Sequence, residues 1–178
     1  YQNLEIIICD DGSTDNTYSV IEEYTFVDPR VKLVSQAHSG KVEALNKAFK
    51  ISKGQFIVLL AHDDVLLKNS IAKRVQSLED HKVEVCFHNG YICNDKLEIQ
   101  RLLYPEDYSV GRDVKNVVRR NPIGGGLIGF TRRIAEKIFP IPDYLKFEDW
   151  WISFICFLNS AEVEYINEPL VLYRIHDK

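Results

Sequence analysis

The sequence predicts an α/β fold built on a mostly parallel sheet flanked by helices, with a smaller mixed or antiparallel portion in the C-terminal half. Short β-branched runs alternate with helical segments through the first half, and two of those runs stop at acidic pairs. Leu4-Glu5-Ile6-Ile7-Ile8-Cys9, ended by Asp10-Asp11-Gly12, reads as a buried parallel strand. Ser13 or Asp15 is placed to cap a helix over 16–25, and Asp28-Pro29 marks a turn. A second strand over 31–34 precedes a helix over 40–51 with Val42, Leu45, Ala48 and Phe49 on one face. Phe56-Ile57-Val58-Leu59-Leu60, the most hydrophobic run, predicts the central strand, with His62-Asp63-Asp64 at its carboxyl end. A helix over 68–81 and a strand over 83–87 follow.

The second half is less regular. It predicts a hairpin over 91–103 turning at Asn94-Asp95-Lys96, a short helix over 112–120, and a strand over 127–130 behind Gly124-Gly125-Gly126. Thr131 is placed to cap a helix ending before Pro140. An aromatic-rich helix over 148–158 and two closing strands within 162–173, broken at Pro169, complete the chain. With no internal repeat or low-complexity linker, a single domain over 1–178 is expected. The chain opens on Tyr1-Gln2-Asn3-Leu4, without Met or signal peptide and directly before a strand, so an N-terminal truncation is expected.

Composition narrows the function classes. The 178 residues are 46% hydrophobic and 27% charged, ordinary values for a folded domain and unlike a disordered one. No apolar run approaches the roughly 20 residues that span a bilayer. A net charge of −4 lacks the basic footprint that nucleic acid requires. Cys9, Cys86, Cys93 and Cys156 are scattered and form no metal-binding spacing, which predicts buried free thiols in a reducing, cytoplasmic compartment.

In an open parallel sheet, ligands bind beyond the carboxyl ends of the strands. Asp10-Asp11 and Asp63-Asp64 both fall at such ends. Four carboxylates around one crevice raise one another's pKa, a cost that a divalent cation or a hydrogen-bonding ligand offsets. Each pair taken alone reads equally as a turn or helix cap. Glu148-Asp149 likewise suits the first turn of a helix, where acids complement the dipole.

Five segments in order resemble family 2 glycosyltransferases, which have the GT-A fold. Asp10-Asp11-Gly12-Ser13-Thr14-Asp15 looks like the D-D-G-S-x-D signature. The segment from His38 through Gly40 and Lys41 to Asn46 is similar to N-x-G-x-x-x-A-x-N. Ala61-His62-Asp63-Asp64 falls where the family carries its D-x-D metal motif. Glu148-Asp149 resembles the later E-D motif, and Tyr173-Arg174-Ile175-His176 the closing Y-R-x-H.

The resemblance implies a nucleotide-sugar donor, with UDP the commonest, and a saccharide or lipid-linked acceptor. It implies that Asp10, Asp11 and Gly12 take the base, and that Lys41 and the amides near Gly40 approach the diphosphate, as helix N-termini favour anions. Asp63, with Asp64 and His176, would hold Mn²⁺ or Mg²⁺. Asp149 would be the general base of an inverting single displacement. Glu148, Trp150 and the Gly125 backbone would face the acceptor. Ala61 departs from the family pattern, and the family's own first strand would precede Tyr1. A sugar nucleotidyltransferase and a non-catalytic nucleotide-sugar-binding module stay open as alternatives. The lipid-linked acceptors of bacterial relatives would bring the protein to the inner membrane face, although no basic amphipathic helix demands it.

Overall fold

A computed structural model describes residues 1–80, 82–108, 121 and 124–176, which fall into two compact units. The first comprises Tyr1–Gly54 and Phe139–Glu148. Its strands β1 (Ile6–Asp10) and β2 (Val31–Ser35) pair in parallel, Ile6 opposite Val31 and Asp10 opposite Ser35. A parallel pair needs a crossover connection, and α1 (Thr17–Val27) supplies it. Asp15 accepts a hydrogen bond from the Thr17 amide at 3.0 Å, one residue ahead of the N-cap Asn16, whose own side chain makes no cap bond; Ser13 and Asp15 do not stand at the cap position.

Helix α2 (Lys41–Ile51) starts after Gly40, at φ 95°, and buries Val42. Its far end is held by Glu5, which accepts from the Lys53 and Gly54 amides at 2.6 and 2.8 Å. Segment 139–148 docks on the same helix. Asn46 exchanges two hydrogen bonds with the Ile141 backbone, at 2.8 and 2.7 Å, and Phe49 stacks on Phe139 with ring centroids 4.4 Å apart.

The second unit comprises Gln55–Ile138 and Asp149–Lys178. Its elements are β3 (Phe56–Val58), β4 (Val65–Leu66), α3 (Ser70–Glu79), β5 (Val85–Cys93), β6 (Ile99–Leu102), a 3₁₀ turn (Gly125–Leu127), β7 (Ile128–Thr131), α4 (Arg132–Ile138), α5 (Glu148–Leu158) and β8 (Val163–Arg174). The first residue of α5, Glu148, belongs to the other unit. The strands run in the order β3-β7-β5-β8-β4, with β6 also on β5. Pairing of β5 with β8 is parallel, and every other pair in this sheet is antiparallel. The α/β class holds, while antiparallel pairing extends further than strand–helix alternation alone suggests.

Four details differ from the sequence reading. The run at 56–60 yields a three-residue strand at one end of the path; the central strand is β5, where Val85, Cys86 and Phe87 are fully buried. That strand also runs unbroken through His88-Asn89-Gly90, between the strand expected over 83–87 and the hairpin expected over 91–103. The Asn89 side chain supplies the reason: it accepts from the Gly90 and Tyr104 amides and donates to the Tyr104 carbonyl, standing in for ladder partners. Pro169 does not divide the last strand. It sits opposite Asn89, where the β5–β8 register shifts and a missing N–H is tolerated. Thr131 does not cap the helix, since its buried hydroxyl has no hydrogen-bond partner among the described residues. The helix expected over 112–120 lies outside the described residues.

Phe87 packs against Tyr165 at 4.8 Å between centroids and edge-on to Tyr104 and Tyr108 at 6.4 and 6.3 Å. Cys86, Cys93 and Cys156 are buried free thiols as expected, and Cys9 is half-buried. Burial pushes the Cys86 and Cys156 thiols up to about 11 and about 12. Phe87→Ala should cost about 3–5 kcal/mol of stability, read as a lower urea midpoint, because the rigid ring cluster cannot collapse into the void.

Candidate functional site

In the first unit the chain leaves β1 at Asp10 and turns at Asp11-Gly12. Asp10 is buried, and its two oxygens each lie 3.4 Å from the Ser13 amide, which donates to them. Asp11 is the anchor of the β2–α2 loop. It accepts from Gln36 Nε2 at 2.7 Å, the Ser39 amide at 2.8 Å and the Gly40 amide at 2.9 Å, and pairs with His38 Nδ1 at 2.9 Å. These donors hold its carboxyl well below the ordinary 3.8, at about 2, with Gln36 the largest contributor. Gly12 has φ 76°, and a Cβ there would lie 2.8 Å from the His38 amide nitrogen, so only glycine fits this turn.

Lys41 opens α2 and forms an ion pair with Glu148, whose side chain is nearly buried while that of Lys41 is 65% exposed. An open depression of about 750 Å³ in the same unit is lined by residues that include Gln36, Ser39, Asn46 and Phe49. None of Asp10, Asp11, Gly12 or Lys41 lines it.

In the second unit, residues 59–64 follow β3. Fully buried Arg74 donates to the Leu59 carbonyl at 3.4 Å, and burial lowers its pKa to about 10. Asp64 Oδ1 accepts from the Arg174 amide at 3.0 Å, tying this loop to the end of β8. Its other oxygen, Oδ2, is buried with no hydrogen-bond partner among the described residues, and burial raises the carboxyl's pKa. A Cβ on Gly126 would lie 3.3 Å from both Ala61 Cβ and Asp64 Oδ2, so glycine lets the 3₁₀ turn pass close by. His176 reaches Asp63 Oδ2 with Nε2 at 3.3 Å, and Asp95 Oδ1 with Nδ1 at 2.8 Å. Asp149, half-buried in the first turn of α5, accepts from the Trp150 amide at 2.9 Å. Trp150 is partly exposed, and Gly125 begins the 3₁₀ turn.

The structure thus gathers Asp10, Asp11 and Gly12 with the 36–40 loop, pairs Lys41 with Glu148, and brings His176 to Asp63, while the neighbouring Asp64 bonds the Arg174 amide. Sequence reasoning missed three participants. Gln36 and Asp95 look like ordinary loop polar residues, and Arg74 like a helix-surface cation; only their spacing along the chain is visible in one dimension. Among the described residues, no three His, Cys, Asp or Glu side chains converge as a ready metal site. The donor chemistry nevertheless suits Mn²⁺ or Mg²⁺. Such ions commonly take one or two protein carboxylates and fill the remaining positions with water and phosphate oxygens, and Asp64 Oδ2 is an orphaned hard donor. No helix among the described residues is long and apolar enough to cross a membrane.

Comparison with known proteins identifies the family of the chain. Residues 1–139 match the family model described as Glycosyl transferase family 2. The chain is 38% identical over 183 residues to the Escherichia coli UDP-Glc:alpha-D-GlcNAc-diphosphoundecaprenol beta-1,3-glucosyltransferase WfaP, covering 99% of this chain and 67% of that protein. It is 34% identical to glycosyltransferase GlyG of Streptococcus pneumoniae, covering 98% of this chain and 62% of the relative. An uncharacterized glycosyltransferase of Nostoc, 29% identical, is matched over 57% of its length. The chain therefore spans little more than half to two thirds of these relatives.

Among solved structures, Staphylococcus aureus TarS 1-349 in complex with UDP-GlcNAc superposes with a TM-score of 0.78 at 16% identity, covering 98% of this chain and 50% of that one. The mannosyltransferase PcManGT of Pyrobaculum calidifontis, in complex with GDP-Man and Mn²⁺, gives 0.63 at 23% identity, covering 93% and 46%. At these identities the likeness shows a shared fold.

Asp11→Asn should reveal the clamp as a pH effect. The folded-state pKa lies below the unfolded one, so the carboxylate's contribution is fully present above about pH 4 and fades as pH falls towards about 2. The urea midpoint of the wild type should exceed that of the variant at pH 7, and the gap should shrink across that acid window.

Proposed function

The chain belongs to glycosyl transferase family 2, and from that premise we propose that it transfers a sugar from a nucleoside-diphosphate donor, UDP-linked, to a hydroxyl of a saccharide or lipid-linked acceptor, with inversion. The observation that carries the reading is Asp64 Oδ2, a buried carboxylate oxygen with no hydrogen-bond partner among the described residues, in the same loop whose Asp63 reaches His176. A group so placed calls for a cation, and a departing diphosphate calls for the same one. The relatives named above support it, through UDP-Glc and a diphosphoundecaprenol-linked acceptor in one name and a GDP-sugar with Mn²⁺ in another.

Each group of residues has a role in this reading. Asp11, steadied by Asp10 and the Gly12 turn, accepts a hydrogen bond from the base. The donor it would exchange is His38, whose side chain is 82% exposed. Lys41, presented at the start of α2 by its pairing with Glu148, supplies positive charge to the diphosphate. Asp63, Asp64 and His176 hold Mn²⁺ or Mg²⁺, which when bound neutralises charge on the leaving diphosphate.

Asp149 takes the proton from the acceptor hydroxyl as that oxygen attacks the anomeric carbon. A single displacement needs no enzyme nucleophile. Glu148, Trp150 and the Gly125 backbone are the residues the family resemblance assigns to the acceptor, and a lipid-linked acceptor would bring the protein to the cytoplasmic face of the membrane. One observation favours a second reading, a non-catalytic binding module. Ala61 stands in the D-x-D position and is packed against Gly126, close to Asp64.

Calorimetry on the full-length protein with UDP, GDP and dTDP, each with Mn²⁺, should show binding of at least one nucleotide; silence with all three would overturn the reading. Asp149→Asn should lower the transfer rate by about 10²–10⁴-fold with nucleotide affinity unchanged. Nucleotide binding and Mn²⁺ uptake with no turnover in the wild type would favour the binding module.

A further inference from the structure

His176 stands between two carboxylates, with Nδ1 2.8 Å from Asp95 Oδ1 and Nε2 3.3 Å from Asp63 Oδ2. An ionised carboxylate only accepts, and a neutral ring has one N–H for two carboxylates; the shorter contact, 2.8 Å against 3.3 Å, assigns that proton to Nδ1 and Asp95. In a neutral ring the Nε2 lone pair then points at an oxygen lone pair of Asp63. A second proton on the ring relieves the opposition, and so does a cation bound at that spot.

The backbone builds this arrangement. Parallel pairing sets Cys93 opposite Arg174, and the Ile175 amide donates to the Cys93 carbonyl at 2.9 Å, so Asp95 and His176 emerge from the same end of neighbouring strands. The turn that presents Asp95 is itself fixed. Asn94 Oδ1 accepts from the Lys96 and Glu98 amides, both at 3.0 Å, and Asn94 Nδ2 donates to Glu98 at 2.7 Å.

We propose that Asp95 is a positioning residue for the metal-assisted reaction: it holds His176 in the Nδ1–H tautomer and aims Nε2, beside Asp63, as a nitrogen donor for the divalent cation. The inference rests on the metal-assisted reading above. Carboxylates that orient metal-binding imidazoles fix the tautomer and raise ligand basicity, and their loss typically weakens metal binding 10–100-fold. Asp95 and His176 have side chains 58% and 52% exposed, so their pairing contributes little to folding. A loss of metal affinity is therefore separable from a loss of structure.

The test uses full-length protein and Mn²⁺ alone, following the resonance of free Mn²⁺ by electron paramagnetic resonance. Asp95→Ala should weaken Mn²⁺ binding about 10–100-fold with an unchanged metal-free thermal midpoint, and Asp95→Glu should restore part of the affinity. In parallel, ¹⁵N-imidazole NMR of the metal-free protein at alkaline pH should show the Nδ1–H tautomer for His176, lost in Asp95→Ala. Wild-type Mn²⁺ affinity in Asp95→Ala would overturn the proposal. Failure of the wild type to bind Mn²⁺ would overturn the metal-assisted reading itself. The tautomer signal would then decide whether Asp95 orients the ring.

Discussion

The parallel pairing of β5 with β8 governs the larger unit. Nine residues on one strand run beside twelve on the other, and the excess is absorbed where Asn89 faces Pro169. Parallel strands end on the same side, so this register delivers Arg174 and His176 next to the turn that follows β5. The Arg174 amide reaches back to Asp64, and the His176 ring reaches Asp95 and Asp63. A slip of one residue would turn every side chain of β8 to the opposite face and separate these groups. The buried stretch Val85-Cys86-Phe87, with its ring cluster, sets that register by making any slip expensive in apolar burial.

Within each unit the acidic residues meet the cost of desolvation differently. Asp11 is saturated by backbone and side-chain donors and stays ionised far into acid, as a clamp on the loop that starts α2. Asp64 has one oxygen satisfied and the other buried with no hydrogen-bond partner among the described residues, and its pKa moves up. A satisfied carboxylate shapes backbone; a half-satisfied one attracts a proton or a cation. Two adjacent-acid motifs that look alike in the sequence therefore have different physical characters, and the proposed division between base contact and metal contact follows that difference.

Several features are legible in the residues alone. Period and composition locate β1, β2, α2 and α5 closely, because a long apolar face or a β-branched run ended by Asp-Gly leaves few alternatives. Legibility fails where a side chain replaces a backbone partner. His88-Asn89-Gly90 falls between an expected strand and an expected hairpin, yet Asn89 bonds to Tyr104 as a strand neighbour would and the strand continues. Hydrophobicity likewise misplaces the centre of the sheet, since apolar content reports burial and not the number of flanking strands.

The sequence by itself determined the α/β class, the ordered motifs that mark the family, and the identity of the acids and the imidazole available for chemistry. These are local properties, carried by neighbours a few residues apart. Only the tertiary structure decided which of those groups are already satisfied and which are left waiting. It paired Lys41 with Glu148, surrounded Asp11 with donors, left Asp64 Oδ2 bare, and set Asp95 behind His176. Asp95 and His176 lie 81 positions apart in the chain. Hydrogen-bond satisfaction depends on such distant donors, brought within about 3 Å by strand register, and no reading of composition or spacing contains that register.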